Sequence, residues 1–424
     1  MRTPLFLLTL LLSVNSTAAG QDQAARKVQG TVTLDKGRSY PGTFVLTSGS
    51  TLDCRGATLT GSRIGPAINI PPGTHDVTVR DCSVTTTNDQ RVILVGANDR
   101  SQTTVEQVPT HITFTRVLVP SYRGKRAFEI SGADVTLEDC GVSDLWDPAL
   151  RDSQTVAILN TPGPVRIHGG TYSGGSETIM IGGDYMKIPD VVPSDITLED
   201  VALNHPLEWK NDGTKRGLKN LFEVKTGHRV VVRRVTMDGV WRDAQVGYAV
   251  VITPRSGGEI QDVLFEDVTI TNVGGGFNML GRDYAGRATA TATSNVVLRR
   301  VRAQVSKSEF GGSGFFVLAG GELHDLSILD CTFEGDGPAF LSYYIGRVLE
   351  ADGGKREAAP MESLTITGST FSAGRYGLML AGVPQAGPRQ TGVKKLVVTG
   401  NTITGANAAL RKNLPNNTYR RGAT

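Results

Sequence analysis

The chain has 424 residues, a formal net charge of +3, 39% hydrophobic residues, 51 glycines and four cysteines. A balance this close to neutral excludes the broad basic face that nucleic-acid phosphates require, so no nucleic acid is expected as partner. Beyond the N-terminus no apolar run approaches the ~20 residues that span a bilayer, so no membrane span is expected.

The chain begins with Met1-Arg2-Thr3-Pro4, runs apolar from Leu5 to Leu12 and turns small and polar through Ser16-Thr17-Ala18-Ala19-Gly20. One basic residue, a short apolar core and a small-residue end read as a secretory signal over residues 1–20, which implies export to the outside, the periplasm or the cell surface. Gln21 to Gly30 is expected to form a short helix capping the open first turn of the fold. Thr31 to Gly61 is expected to supply one or two irregular opening turns.

From Asp76-Val77-Thr78-Val79-Arg80-Asp81-Cys82-Ser83-Val84 onward one pattern recurs: period-2 apolar alternation, a two-residue polar corner, then another apolar position. It describes a short strand that bends and continues. Eleven copies are anchored at Val77, Ile112, Val135, Val165, Ile196, Val230, Val263, Val296, Leu326, Leu364 and Leu396. A period near ~32 residues with variable insertions marks a solenoid. Helix formers are scarce, which excludes ankyrin and tetratricopeptide arrays. Each interval holds a second apolar strand, as in Arg126-Ala127-Phe128-Glu129-Ile130, Asn220-Leu221-Phe222-Glu223-Val224 and Gly314-Phe315-Phe316-Val317-Leu318. Two or three short strands per turn make an all-β, single-stranded right-handed parallel β-helix of about 11 to 13 turns. The expected domain runs from 21 to 412, cap included, with 413–424 a frayed polar tail. The pattern resembles the pectate-lyase-like superfamily of β-helix proteins over residues 45 to 410, and Lys219 to Gly281 is similar to exported bacterial β-helix proteins. That resemblance implies the fold and export, and no activity.

The residue four after each anchor runs Asp81, Arg116, Asp139, Gly169, Asp200, Arg234, Asp267, Arg300, Asp330. Turns stacked about 4.8 Å apart would repel if these charges were alike and attract when they alternate. The acids of this column are therefore expected to be structural pairs. Cys82, Cys140 and Cys331 take the inward position of Val117, Val201, Val235, Val268 and Val301, and read as small core residues. Cys54 aligns with Val79, so the spacing does not favour a disulfide. No CxxC or HExxH motif is present, so neither metal nor cofactor is expected.

A β-helix interior is filled, so function falls on outward strand positions and loops. The densest candidate lies between His205 and Asp283. Glu223 and Lys225 point outward if Phe222 and Val224 point in; Thr253 and Arg255 lie on the next turn, and Asn278, Arg282 and Asp283 on the one after. Lys225, Arg255, Arg282 and Glu223 are the catalytic candidates. Trp209, Lys210, Trp241, Arg242, Tyr248, Asn278 and Asp283 are the substrate-binding ones. Each has a structural reading too: Glu223 with Lys225 as a local pair, Arg255 bonded to loop carbonyls, the tryptophans as packing lids. Two arginines on adjacent turns do not neutralise each other, and together favour an anionic partner such as a uronate carboxylate or sulfate.

Three functions are open. The first is binding of an acidic polysaccharide or cell-surface glycan with lyase chemistry, in which a cation neutralises the uronate carboxylate and Lys225 takes the C5 proton, as in alginate lyases and chondroitinase B, which are similar in fold. The second is a non-catalytic wall, matrix or adhesion rod. The third is a glycoside hydrolase, which needs two carboxylates; Glu223 with Asp243 or Asp283 is the available pair. A monomer is expected.

Overall fold

The computed structural model describes residues 25–282, 293–320, 322–337, 341–344, 347–349, 354–357, 359–372, 378–380, 392–405 and 408–420. Every turn lays one short strand on each of three parallel sheets. Sheet A opens with Arg26–Val28, Phe44–Leu46 and Ile68–Ile70, sheet B with Thr31–Thr33, Thr51–Asp53 and His75–Arg80, and sheet C with Ser39–Pro41, Thr58–Gly61 and Ser83–Thr86. Among the described residues sheets A and B hold 13 strands each and sheet C holds 15. The eleven anchors pair directly with one another up sheet B, from Val77 against Ile112 to Leu364 against Leu396. This is a parallel β-helix.

One residue makes the corner from sheet B to sheet C, and it sits in the left-handed region. Its φ is 58° at Asp81, 51° at Arg116, 58° at Asp200, 54° at Arg234, 55° at Asp267 and 52° at Arg300. Aspartate tolerates this conformation well and arginine less so. The stacking supplies compensation, because each arginine lies against the aspartate of the turn before: Arg116 Nε to Asp81 at 2.7 Å, Arg234 Nε to Asp200 at 2.8 Å and Arg300 Nε to Asp267 at 2.7 Å. The guanidinium of Arg116 holds the Asp81 carboxyl below its ordinary range, and those of Arg234 and Arg300 do the same for Asp200 and Asp267. Where Gly169 interrupts the column, His168 bridges Glu138 at 2.9 Å and Asp200 at 3.4 Å. A second alternating column runs along the entry to sheet B, with Arg229 on Asp195 at 2.7 Å and Asn295 on Asp262 at 2.6 Å, and Asp134 of the same column takes Arg166 from within the next strand at 3.1 Å.

The interior is one continuous apolar stack, with Phe265 between Phe222 and Phe277 at ring-centroid distances of 5.7 and 5.3 Å, and Phe333 between Phe316 and Phe371 at 5.6 and 5.4 Å. Cys140 and Cys331 are buried in it with free thiols. Burial pushes the thiol of Cys140 up to about 12.

Three expectations are corrected. Cys54 and Cys82 form a disulfide with Cα atoms 5.0 Å apart. Leu52, and not Cys54, pairs with Val79, and Thr58 pairs with Ser83, so the first corner is longer and brings Cys54 inward beside Cys82. Within Gln21–Gly30, the stretch Arg26–Val28 is the first strand of sheet A and not helix, and the opening turns pair as regularly as the rest. In the tail, Thr418–Arg420 pairs with Thr402–Thr404 as a further strand of sheet C, after a short helix over Ala408–Asn413. Residues 283–292 and the segment expected to be a secretory signal lie outside the described residues. No helix among the described residues is long and apolar enough to cross a membrane.

Alkylation of the native protein should label no cysteine, and alkylation after unfolding without reductant should label Cys140 and Cys331 only, read by peptide mass. Phe265→Ala should lower stability by about 3–5 kcal/mol in chemical denaturation, whereas Arg300→Ala, which removes the pairs of a half-exposed guanidinium with Asp267 and Glu266 while Arg299 still holds Glu266, should leave the midpoint near wild type.

Candidate functional site

Sheet A differs from the other two sheets in how its strands begin. Two successive residues face inward, as with Val92 and Ile93, Ala127 and Phe128, Leu221 and Phe222, Ala249 and Val250. The backbone shows why: the amides of both Leu221 and Phe222 reach the carbonyl of Ala249, a local bulge that absorbs one residue. The residues on either side of that inward pair both face out. One outward column is Arg91, Arg126, Gln154, Glu177, Asn220. A second is Leu94, Glu129, Ala157, Met180, Glu223, Val251, Asn278.

These outward polar groups are buried. Glu129, Glu177 and Glu223 keep 3%, 1% and 8% of their side-chain surface exposed. The loops explain it. Segments 97–108 and 183–193 border the C-terminal ends of the sheet A strands, tied together by the buried amides of Gln102 and Asn160: Gln102 donates to the carbonyls of Ser131 and Asn160 at 2.7 and 3.0 Å, and Asn160 accepts from the amides of Lys187 and Ile188 at 3.0 and 3.2 Å. Segments 205–218, 241–247 and 306–316 border the opposite edge.

Between these borders runs a chain of polar contacts. Glu129 takes Arg91 at 3.3 Å and Arg126 at 2.9 Å, and Arg126 donates to Gln154 at 3.1 Å. Gln154 donates to Glu177 at 2.8 Å, and Glu177 also receives the Ser176 hydroxyl at 2.7 Å and Lys219 at 3.0 Å; Lys219 further pairs with Asp152. One turn on, Glu223 receives Asn220 at 3.3 Å and Lys225 at 3.4 Å. Desolvation raises the proton affinity of Glu223 above its ordinary 4.5, opposed by Lys225 and reinforced by the negative charge of Glu177. The Oδ1 atoms of Asn220 and Asn278 are buried with no hydrogen-bond partner among the described residues.

The sequence-derived candidates divide between the two edges of this face. Glu223 and Lys225 stand together as an ion pair, with Asn278 on the same sheet and Tyr248 in the loop that leads into the strand Val250–Ile252. Arg255 bonds its backbone amide to the Lys225 carbonyl at 3.1 Å and its guanidinium to the Pro254 carbonyl at 2.9 Å. The expected mutual exposure of Arg255 and Arg282 gives way to pairing, since Arg282 is bridged to Glu322 of the next turn. Trp209, Lys210, Trp241 and Arg242 stand at the opposite edge. Both tryptophans are 8% exposed and pack with Leu218 and Phe310, so they present no open face. Asp243 accepts the Leu218 amide at 2.9 Å and braces that edge. Asp283 lies outside the described residues. Glu177, Lys219, Arg126 and Glu129 were missed; the repeated five-residue spelling of Arg126–Ile130, Gln154–Ile158, Glu177–Ile181 and Asn220–Val224 is the signal that could have found them.

A cavity of about 430 Å³ lies elsewhere, over the sheet B to sheet C corner, lined by Asp267, Thr269, Arg300, Arg302, Asp330 and Thr332. The Arg300 and Asp267 charges there already satisfy each other. Among the described residues no cluster of three or more potential metal ligands occurs.

No protein-family model matches the sequence, and no curated protein matches it. Solved structures do. A tailspike protein of E. coli bacteriophage HK620 aligns over 92% of this chain and 71% of its own at 10% identity, with a TM-score of 0.53. The fold is a right-handed parallel β-helix. A mannuronic-acid-specific family 6 polysaccharide lyase from human gut microbiota aligns over 94% and 85% at 10% identity, TM-score 0.47. The A-module of a mannuronan C-5 epimerase of Azotobacter vinelandii aligns over 93% and 87% at 13% identity, TM-score 0.44.

Because the folded protein holds the Glu223 proton more tightly than the unfolded chain, stability should fall as pH rises from 4.5 through the raised value. In Glu223→Gln that fall should be absent, as measured by urea midpoints across pH 4 to 8.

Proposed function

We propose that this β-helix binds an acidic polysaccharide along the outer face of sheet A and cleaves it there by β-elimination. The observation that carries the reading is the row of outward yet buried charges from Arg91 to Lys225. Outward residues of a solenoid are ordinarily hydrated, as the corner columns are, and desolvating charges costs free energy unless they are paired. A row kept at that cost, walled by loops and holding two buried amide oxygens without partners among the described residues, suits a ligand rich in hydroxyl donors.

In this mechanism Arg255, on the turn beside Lys225, neutralises the uronate carboxylate and so stabilises the carbanionic transition state. Lys225, in its uncharged form, takes the C5 proton. Glu223, whose burial favours the protonated acid, gives its proton to the departing glycosidic oxygen as the C4–O bond breaks and the C4–C5 double bond forms. The two groups are 3.4 Å apart, so proton return between them resets the site. Export to the cell surface or beyond agrees with the N-terminal segment.

A second reading rests on Glu177. It and Glu223 occupy adjacent turns, one carboxyl held by Lys219 and Ser176 and the other favouring its proton, the division of labour a glycoside hydrolase uses. Incubation with polyuronates should release products absorbing in the ultraviolet as unsaturated uronates, and Lys225→Ala should reduce the rate at least ~100-fold. New reducing ends without absorbance, lost equally in Glu177→Gln and Glu223→Gln, would establish hydrolysis instead. Binding without either product would identify the non-catalytic rod.

A further inference from the structure

At the aromatic edge of sheet A lies a second feature that the proposed elimination does not use. The loop from His205 to Leu218 folds back so that the Arg216 guanidinium lies over Trp209 at 4.4 Å and over Trp146 at 5.3 Å. Asp212 fixes it through two bonds, at 2.9 Å to Nη1 and 2.6 Å to Nη2. Arg216 is 9% exposed, and its Nε–H is buried without a hydrogen-bond acceptor among the described residues. A buried guanidinium donor left open is costly, and an oxyanion is the group that satisfies it.

The surroundings favour the same charge. Arg216 lines a cavity of about 270 Å³ together with Lys210, Lys215, Trp241, Arg242 and Asp243. Lys215 and Arg242 are exposed, and Lys210 is spread over the Phe310 ring at 4.9 Å. Asp243 is engaged by the Leu218 amide and Asp212 by Arg216, so four cations face two acids already committed. The volume is slightly below the ~300 Å³ lower end for small-molecule pockets, which suits one substituent or one sugar residue and not a length of chain. Leu218 lines the cavity, and the next residue, Lys219, holds Glu177 in the sheet A row. A polymer on that row therefore passes this opening.

We infer that the Arg216 cavity is an oxyanion subsite that takes the charged substituent, carboxylate or sulfate, of one sugar residue of an anionic polysaccharide. The inference rests on the reading of sheet A as a saccharide face and adds the place where charge is recognised. Arginine suits this task because its fork stays charged and directional while aromatic rings hold its plane.

The chain has three tryptophans, and Trp146, Trp209 and Trp241 all belong to this cluster. Intrinsic tryptophan fluorescence thus reports the cavity. Galacturonate and mannuronate oligomers, a sulfated chondroitin oligosaccharide and a fully methyl-esterified galacturonate oligomer should be titrated into the full chain, with calorimetry in parallel. A saturable emission change is expected with the carboxylate oligomers, the sulfated one, or both, which distinguishes the two oxyanions, and not with the ester. Lys210→Ala combined with Lys215→Ala should weaken it at least ~10-fold, and Arg216→Lys, which keeps the charge and loses the fork, should do likewise with the fold intact by circular dichroism. Arg300→Ala, at the sheet B to sheet C corner away from both sites, should retain it.

Calorimetric binding of an anionic oligomer with silent tryptophans and unchanged affinity in the double variant would overturn the subsite and leave the sheet A reading standing. An equal response to the ester, or loss of the response in Arg300→Ala, would also overturn it. Absence of binding by every oligomer in both channels would remove both readings.

Discussion

Everything in this molecule answers to one constraint: each side chain has its counterpart from the turn before and the turn after about 4.8 Å away. Inward, that spacing stacks apolar side chains turn on turn into one continuous core. Outward, it forbids columns of one charge. The corner column meets the constraint by alternation, and alternation in turn allows arginine at a backbone position that otherwise favours aspartate or glycine. Sequence, backbone geometry and electrostatics are here the same fact seen at three scales.

The outer face of sheet A balances its charges between columns and not along them: Arg91 and Arg126 are register partners, and Glu129 of the neighbouring column pairs with both, as Glu177 does with Lys219 and Glu223 with Lys225. Loops on both edges withdraw these pairs from water, which strengthens each interaction and makes each unpaired group costly. Corner pairs in full solvent contribute little individually. The sheet A pairs are poised differently: desolvation moves Glu223 toward its neutral form, the condition under which a carboxyl serves as an acid near neutral pH.

The sequence made the sheet B register legible because that strand and its corner are local and regular; all eleven anchors align, and the charge column pairs as its alternation implies. It was less legible wherever the turn length changes. The longer corner at Cys54–Ala57 hid the disulfide, since counting from the anchors places Cys54 opposite Val79. The bulge in sheet A hid Glu177, because strict alternation assigns it and its register partner Asn220 to the interior. The burial of Trp209 and Trp241 is decided by Leu218, at the far end of the Trp209 loop, and by Phe310 from another loop, and the partner of Arg282 comes from the next turn. What a strand does alone can be read from spelling; what loops do to one another cannot.

The central claim is that ligand meets the chain across the outer face of sheet A. Hydrogen–deuterium exchange of the full chain, with and without a saturating polyuronate oligomer, tests it most directly. The account predicts slowed exchange in the bordering loops 97–108, 183–193, 205–218 and 241–247 and no change along the outer strands of sheet C. Protection confined to sheet C or to the sheet B corner, with the sheet A borders unchanged, would contradict it.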